Sequence, residues 1–203
     1  AKLEAVAVVK VQREGIYEIM SQDMTLLRKA AGILKLAPGT GEILDFGIIL
    51  DEMWKVSQEE MNFTIEAQNA ETFYKNNEDV VFATCPRIYR EETTPQVLTM
   101  EFIDGISVDN KAKLLENGYD LDEIGAKLAD NYIKQVIEDG FFHADPHPGN
   151  IRIREGEIVW IDMGMMGRLS KRDQALFAKA VAAVAQHDVE GIKSVVLSIG
   201  KCR

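Results

Sequence analysis

At 203 residues, 46% of them hydrophobic, with 15 glycines and 5 prolines, the chain can bury a core and is too apolar for a disordered, collagen-like or low-complexity polymer. Its 23 basic against 33 acidic side chains leave a net charge of −10, which argues against phosphate-backbone affinity and excludes nucleic acid as the expected partner. No apolar run approaches the roughly 18 residues of a membrane-spanning helix, and no secretory leader pattern opens the chain. Cys85 and Cys202 match no metal or redox spacing, so free thiols in a reducing, cytoplasmic setting are expected. Apolar alternation begins almost at once after Ala1, which predicts that the chain starts inside a larger protein.

Glu4 to Gln12, rich in β-branched residues, predict a strand that exits at Arg13-Glu14-Gly15. Two helical stretches follow, about 17 to 36 and about 45 to 76, the first stopped by Pro38-Gly39 and the second by Asn76-Asn77. Pro38-Gly39-Thr40-Gly41 follows a helix and precedes no Gly-Lys-Ser/Thr, so it reads as a helix-stop turn and not a phosphate loop. Strands near 87 to 91 and 96 to 102, joined across Glu92-Thr93-Thr94-Pro95, predict a hairpin. Leu121 to Glu138 predict a long helix ended by Asp139-Gly140. After the loop His143 to Asn150, a strand pair, Ile151 to Arg154 and Ile158 to Ile161, turns at Glu155-Gly156, and helices are expected over about 170–187 and 189–199. The order predicts an α+β chain in two lobes, 1–103 and 104–203, with a hinge near 102–106.

The segment from Phe141 to Asn150, followed by Asp162-Met163-Gly164, has the spacing H-x-D-x-x-x-x-N and then D-x-G. Phosphoryl transfer needs an acid that orients an attacking hydroxyl and hard oxygen ligands that hold Mg²⁺ on the phosphates. Asp145 suits the first task, and the side-chain oxygens of Asn150 and Asp162 suit the second. Pro146 and Pro148 restrict φ and Gly149 permits a tight turn, so the loop is built for rigid presentation. Each acid taken alone reads as a cap or turn residue; the Pro-His-Pro-Gly filling and the second acid after an apolar strand favour function. His143 and His147 suit orientation of the loop backbone better than proton transfer.

Lys10 lies between Val9 and Val11 in an apolar strand, where an unpaired ammonium is costly to bury, so an acidic partner or an anion is expected. In the second helical stretch an apolar seam at Met53, Val56, Phe63, Ala67, Ala70 and Tyr74 places Glu60 in the stripe and Glu66 beside it. Both are candidate counter-charges for Lys10. Trp54 and Trp160 are expected to pack in or near the core, His187 to cap a helix end, and Met163, Met165 and Met166 to fill core.

A lysine on a strand, a glutamate on a helix, H-x-D-x-x-x-x-N and D-x-G, in that order, resemble the parts of the protein-kinase-like fold. The local sequences are similar to the UbiB family of atypical kinases, also called AarF-domain or ABC-one-like proteins. The matching pieces are Val8 to Ile16, Glu60 to Ala70, Met100 to Gly105, His143 to Asn150 and Ile161 to Ser170, which together span almost the whole chain. The resemblance implies a Mg-ATP-binding kinase or ATPase that supports ubiquinone or other isoprenoid-lipid metabolism. It implies that Lys10 contacts the α and β phosphates and pairs with Glu66. Asp145 would be the catalytic aspartate, Asn150 and Asp162 the Mg²⁺ ligands, and the backbone of Glu101, Phe102 and Ile103 the adenine hinge. Glu60 matches the first acid of the family's E-x-D motif.

The chain departs from the family at Asn62, where Asp is usual, at Glu14, where Pro is usual, and at Met163, which replaces the middle Phe of D-F-G. Residues 1–9 hold neither the K-x-G-Q segment nor the Ala-rich nucleotide loop of the family, both of which would lie upstream of Ala1. Implied partners are ATP and lipid or isoprenoid-pathway proteins, with room for membrane contact through regions outside this chain. Other readings compete with this one: a small-molecule phosphotransferase of the aminoglycoside or choline kinase type, a non-catalytic nucleotide-binding scaffold, and, more distantly, a metal-dependent hydrolase using His143, Asp145 and His147.

Overall fold

The computed structural model describes residues 6–34 and 46–200. The turn expected at Pro38-Gly39-Thr40-Gly41 and the thiol of Cys202 lie outside the described residues. The first elements are β1 (Ala7–Val11), α1 (Ile16–Leu34), α2 (Phe46–Glu60), α3 (Phe63–Asn76), β2 (Ala83–Thr84), β3 (Val97–Glu101) and β4 (Ile106–Ser107). They are followed by α4 (Lys111–Glu116), α5 (Leu121–Lys134), β5 (Phe141–His143), β6 (Ile151–Arg154), β7 (Glu157–Trp160), β8 (Met166–Arg168), α6 (Lys171–Ala185) and α7 (Val189–Gly200). The described residues thus mix helices with several small sheets, and none of their helices is long and apolar enough to cross a membrane. They fall into two compact units. One comprises the described residues of Ala1–Glu71 and Pro86–Phe102; the other comprises those of Thr72–Cys85 and Ile103–Arg203.

In the first unit β1 and β3 pair antiparallel, with Val8 opposite Met100 and Lys10 opposite Leu98. Side chains alternate across a strand, so Val8 and Lys10 share one face while Val9 and Val11 stand exposed on the other. The inner face meets Ala67, Leu98 and Met100, with Val8, Phe63 and Ile88 packed against them. Away from this cluster, α1 contacts α2 through Tyr17 and Trp54, whose ring centroids are 5.7 Å apart. Trp54 is half-buried.

The single helix expected over 45–76 is two helices. The chain turns at Met61-Asn62, where the Asn62 carboxamide oxygen accepts from the Thr64 amide at 3.1 Å and caps the start of α3. Phe63 N–H donates to Pro95 O and fixes this start against the approach to β3. The break resets the helical phase, so the proposed seam does not continue across it: Met53 and Val56 on α2 are exposed, whereas Phe63, Ala67 and Ala70 on α3 face the core and Tyr74, farther along α3, is exposed. The hairpin expected over 87–102 forms only in part: β3 is its second strand, and the first arm pairs with it through Tyr89 N–H on Thr99 O and Glu101 N–H on Arg87 O. Ile88 forms an isolated bridge to Met100, and Arg90–Glu92 make a short 3-10 turn. Side-chain bonds add to this short backbone pairing, since Thr93 Oγ1 accepts from Thr99 N and Thr99 Oγ1 donates to Glu92 O. The partner of β3 is β1.

The second unit is built on a sheet of order β2-β7-β6-β4, with β2 parallel to β7 and the other neighbours antiparallel, and on the separate pair β5-β8. The β6-β7 hairpin turns at Glu155-Gly156 with φ of 51° and 85°, the left-handed pair that matches strand twist. Its inward residues Ile151, Ile153, Ile158 and Trp160 are buried with Phe73 and Leu114. Asp120 caps α5 through the amides of Asp122 and Glu123, and Ser170 caps α6 through that of Asp173. The helix expected to reach Glu138 changes character at Gln135, where Gln135–Asp139 form a π turn closed by Gly140 at φ 61°. Lys134 braces this turn, with Nζ 2.8 Å from Asp139 Oδ1 and 2.6 Å from Asn76 O. His187 does sit just past a helix end, at φ 54°, its amide on Val184 O. Met163 is buried, whereas Met165 is exposed and fills no core.

Candidate active site

The first unit places an ion pair under β1. Lys10 Nζ lies 2.6 Å from Glu66 Oε1, and the glutamate is buried. A carboxylate removed from water needs a cationic partner, and the inner face of β1 supplies it. Glu66 stands in the first turn of α3, where the helix dipole favours an acid. Glu60, the other candidate, is exposed at the last residue of α2, because the turn at Met61-Asn62 removes it from the α3 face. Glu101 and Phe102 close the β1-β3 ladder: their amides donate to Arg87 O and Val6 O, so either could meet an adenine only through its carbonyl oxygen.

In the second unit the chemistry gathers around His143, which is 1% exposed. The antiparallel β5-β8 pair, with His143 opposite Met166, and the Ala144 N–H on Met165 O hold the loop against the segment after Asp162. Asp145 N–H donates to His143 Nδ1 at 3.2 Å, while Nε2 lies 2.6 Å from Asp162 O. An amide can only donate, so Nδ1 is an acceptor and the single ring proton sits on Nε2. Burial holds the His143 pKa below the usual imidazole value, against upward contributions from the Asp162 carbonyl and the charges of Asp162 and Asp145. With both ring nitrogens engaged, His143 orients the two acidic segments and is no free metal ligand, which removes the basis of the hydrolase reading.

Asn150 and Asp162 flank the same end of the β6-β7 hairpin. The register pairs Ile151 with Trp160, and Ile161 N–H donates to Asn150 O at 2.9 Å. Asn150 Nδ2 donates to Asp145 O at 3.1 Å, turning its carbonyl oxygen away as a free hard donor. Asp162 Oδ1 accepts from Gly164 N at 3.0 Å. The Asp145 carboxylate is exposed, 3.8 Å from His147 Nε2, and His147 Nδ1 accepts from Gly149 N. Asp145, Asn150 and Asp162 are therefore brought together by hydrogen bonds within one unit. One amide and one carboxylate oxygen at a hairpin end suit Mg²⁺, which takes few protein ligands and completes its shell with phosphate and water.

A model of the ABC1 atypical kinase-like domain matches residues 2–196 of the chain. The chain belongs to this family. It is 44% identical over 193 residues to an uncharacterized protein in the hydrogenase 1 5′ region of Clostridium pasteurianum, covering 95% of this chain and 36% of that protein. It is 36% identical over 198 residues to Protein ACTIVITY OF BC1 COMPLEX KINASE 8, chloroplastic, of Arabidopsis thaliana, covering 95% and 26%. With the Probable protein kinase UbiB of Azotobacter vinelandii the identity is 30% over 198 residues, covering 95% and 37%. The chain thus spans between about a quarter and two fifths of the length of these relatives. Its fold is similar to that of Rv3197 of Mycobacterium tuberculosis, solved in complex with erythromycin, with a TM-score of 0.72 at 23% identity over 93% of this chain and 47% of that one.

Two departures of this ABC1 kinase-like chain from its family acquire physical reasons. Asn62 caps α3, a task that Asn and Asp perform about equally well. Met163 is 2% exposed, an unbranched side chain filling the buried position. The sequence pattern did not reveal the polar residues behind His143. Gln135 Oε1 accepts from His143 N at 3.0 Å, and Tyr132 Oη donates to His143 O at 3.1 Å. Their signal was an amide at each of positions 131 and 135, one helical turn apart, on the buried face of α5.

Proposed function

We propose that the chain binds Mg-ATP and carries the phosphoryl-transfer or ATPase centre of a UbiB-type atypical kinase. In this reading the first unit corresponds to the N-lobe of the protein-kinase-like fold and the second to its C-lobe. Lys10, held by Glu66, contacts the α and β phosphates. Asn150 and Asp162 hold Mg²⁺, which supplies charge neutralisation at the phosphates. Asp145, exposed on its loop, orients the attacking hydroxyl or water and accepts its proton. His143 keeps Asp145 and Asp162 in register without exchanging a proton itself.

The observation that carries this reading is the His143 ring bonded on one side to the Asp145 amide and on the other to the Asp162 carbonyl. Such fixed geometry suits a reaction in which catalysis is mostly positioning and charge stabilisation. For the physiological role we favour ubiquinone or other isoprenoid-lipid metabolism, the role that the resemblance to the UbiB family implies. The chain would act in the cytoplasm, with membrane contact made by regions outside it.

The test is thermal denaturation of the full-length protein with Mg-ATP or Mg-ADP. A ligand at 100 times its Kd stabilises the native state by about 2.7 kcal/mol, so the midpoint should rise, and Asp162→Asn should abolish the rise. No nucleotide effect in the wild type would overturn this reading and equally the nucleotide-binding scaffold, leaving a module that binds no nucleotide.

A further inference from the structure

Among the described residues, a chain of carboxamide side chains crosses the interior of the second unit and ends on the loop that carries Asp145. His143 N–H donates to Gln135 Oε1 at 3.0 Å, and Gln135 Nε2 donates to Asn131 Oδ1 at 2.8 Å. Asn131 Nδ2 donates to Asn77 Oδ1 at 2.7 Å, and Asn77 Nδ2 donates to Phe73 O, in the last turn of α3, at 2.9 Å. Gln135 and Asn131 are 0% and 1% exposed.

The direction of every bond follows from groups that have no choice. The His143 amide can only donate, so Gln135 must present oxygen to it; the Phe73 carbonyl can only accept, so Asn77 must present nitrogen. Trp160 Nε1, which also can only donate, reaches Asn131 Oδ1 at 3.0 Å and fixes the middle amide in the same sense. Three independent ends agree on one orientation. The Trp160 ring stacks on the His143 imidazole at 5.1 Å, so one side chain locks both the relay and the histidine plane. A wholly satisfied buried network of this kind defines one arrangement, because each lost partner would leave a polar group unsatisfied in the interior.

We propose that Gln135 and Asn131 are positioning residues for the phosphoryl chemistry assigned above, acting through His143. The relay fixes the His143 backbone, the backbone fixes the ring, and the ring holds the Asp145 amide and the Asp162 carbonyl at a set separation. The π turn at Gln135–Asp139 belongs to this device, since such turns interrupt helices where a side chain must be aimed, and it begins at Gln135. The inference rests on the kinase reading for the reaction, and on the hydrogen-bond chain alone for the orientation of His143.

Two near-isosteric variants of the full-length protein test it, Gln135→Met and the more disruptive Asn131→Leu, together with ring spectra of ¹⁵N-histidine-labelled protein. Substituting His143, His147 and His187 singly, the three histidines of this sequence, assigns their ring signals within the spectrum of the full-length protein. In the wild type one ring should be locked in the Nε2-protonated neutral tautomer, and that locking should be lost in Gln135→Met. ATP turnover should fall about 10- to 100-fold in kcat while KM for ATP changes less than about threefold, as expected when reacting groups are misplaced but the nucleotide still binds. A folded Gln135→Met variant with kcat within about twofold of wild type would overturn the proposal, as would a wild-type His143 protonated on Nδ1. If both variants fail to fold, the wild-type tautomer still decides. Absence of turnover in the wild type would sink the kinase reading, while the ring spectra would continue to report on the relay.

Discussion

Lys10 Nζ and Glu66 Oε1 lie 2.6 Å apart on two elements separated by 56 residues, with the glutamate buried beneath β1. Removal of the anion alone leaves a half-buried ammonium without that partner, so Glu66→Gln should destabilise the protein by about 1–3 kcal/mol. The double variant Lys10→Met/Glu66→Gln should recover part of the loss. Urea unfolding of both singles and the double measures the coupling, and strictly additive effects would contradict the pairing.

Asp145 exposes its carboxylate, while the backbone amide of the same residue is held by His143. Asp145→Asn retains the backbone geometry and removes the base. The variant should bind Mg-ATP as wild type does and lose about 10²- to 10⁴-fold in turnover, the usual contribution of a positioned acid or base. Calorimetric binding alongside a phosphate-release assay separates the two, and unimpaired turnover would dismiss Asp145 as the base.

Gly140 ends the π turn at φ 61° and ψ 21°, and its carbonyl accepts from Leu169 N at 2.8 Å. A Cβ there would lie 1.6 Å from Gln174 Nε2 and 3.1 Å from Leu169 O. Gly140→Ala therefore combines left-handed strain with displacement of a buried side chain, and should lower stability by about 1–3 kcal/mol. An unchanged denaturation midpoint would show that the chain relaxes there freely.

Arg90 binds Glu71 through two nitrogens, Nη2 at 2.7 Å from Oε2, and this hydrogen bonding holds the Glu71 carboxyl below the usual glutamate range, against a smaller opposing effect of burial. A lowered folded-state pKa means that the unfolded chain takes up the proton first. The stabilisation is then complete above the ordinary value of about 4.3 and disappears as pH falls through the folded value. Both side chains are nearly half exposed, so Glu71→Gln should cost no more than about 1 kcal/mol at neutral pH and low salt. That gap should close in acid and in high salt; a gap independent of pH would assign the loss to packing.

The sequence alone was enough for whatever is encoded over short distances. The loop from His143 to Asn150, the β6-β7 strands and their Glu155-Gly156 turn, and the family resemblance were readable because rigid loops, alternation and turn residues act through neighbours along the chain. Even Asn62, read first as a departure from a motif, carried the local code for a helix start. Tertiary structure alone decided which faces meet. Glu60 and Glu66 are indistinguishable as acids near one stripe, and only the break at Met61-Asn62 exposes the first and buries the second against Lys10. Likewise Asn77, Asn131 and Gln135 are ordinary amides in sequence. Their alignment into one directed relay depends on α5, β7 and the end of α3 packing at hydrogen-bond distance, and no local propensity specifies that.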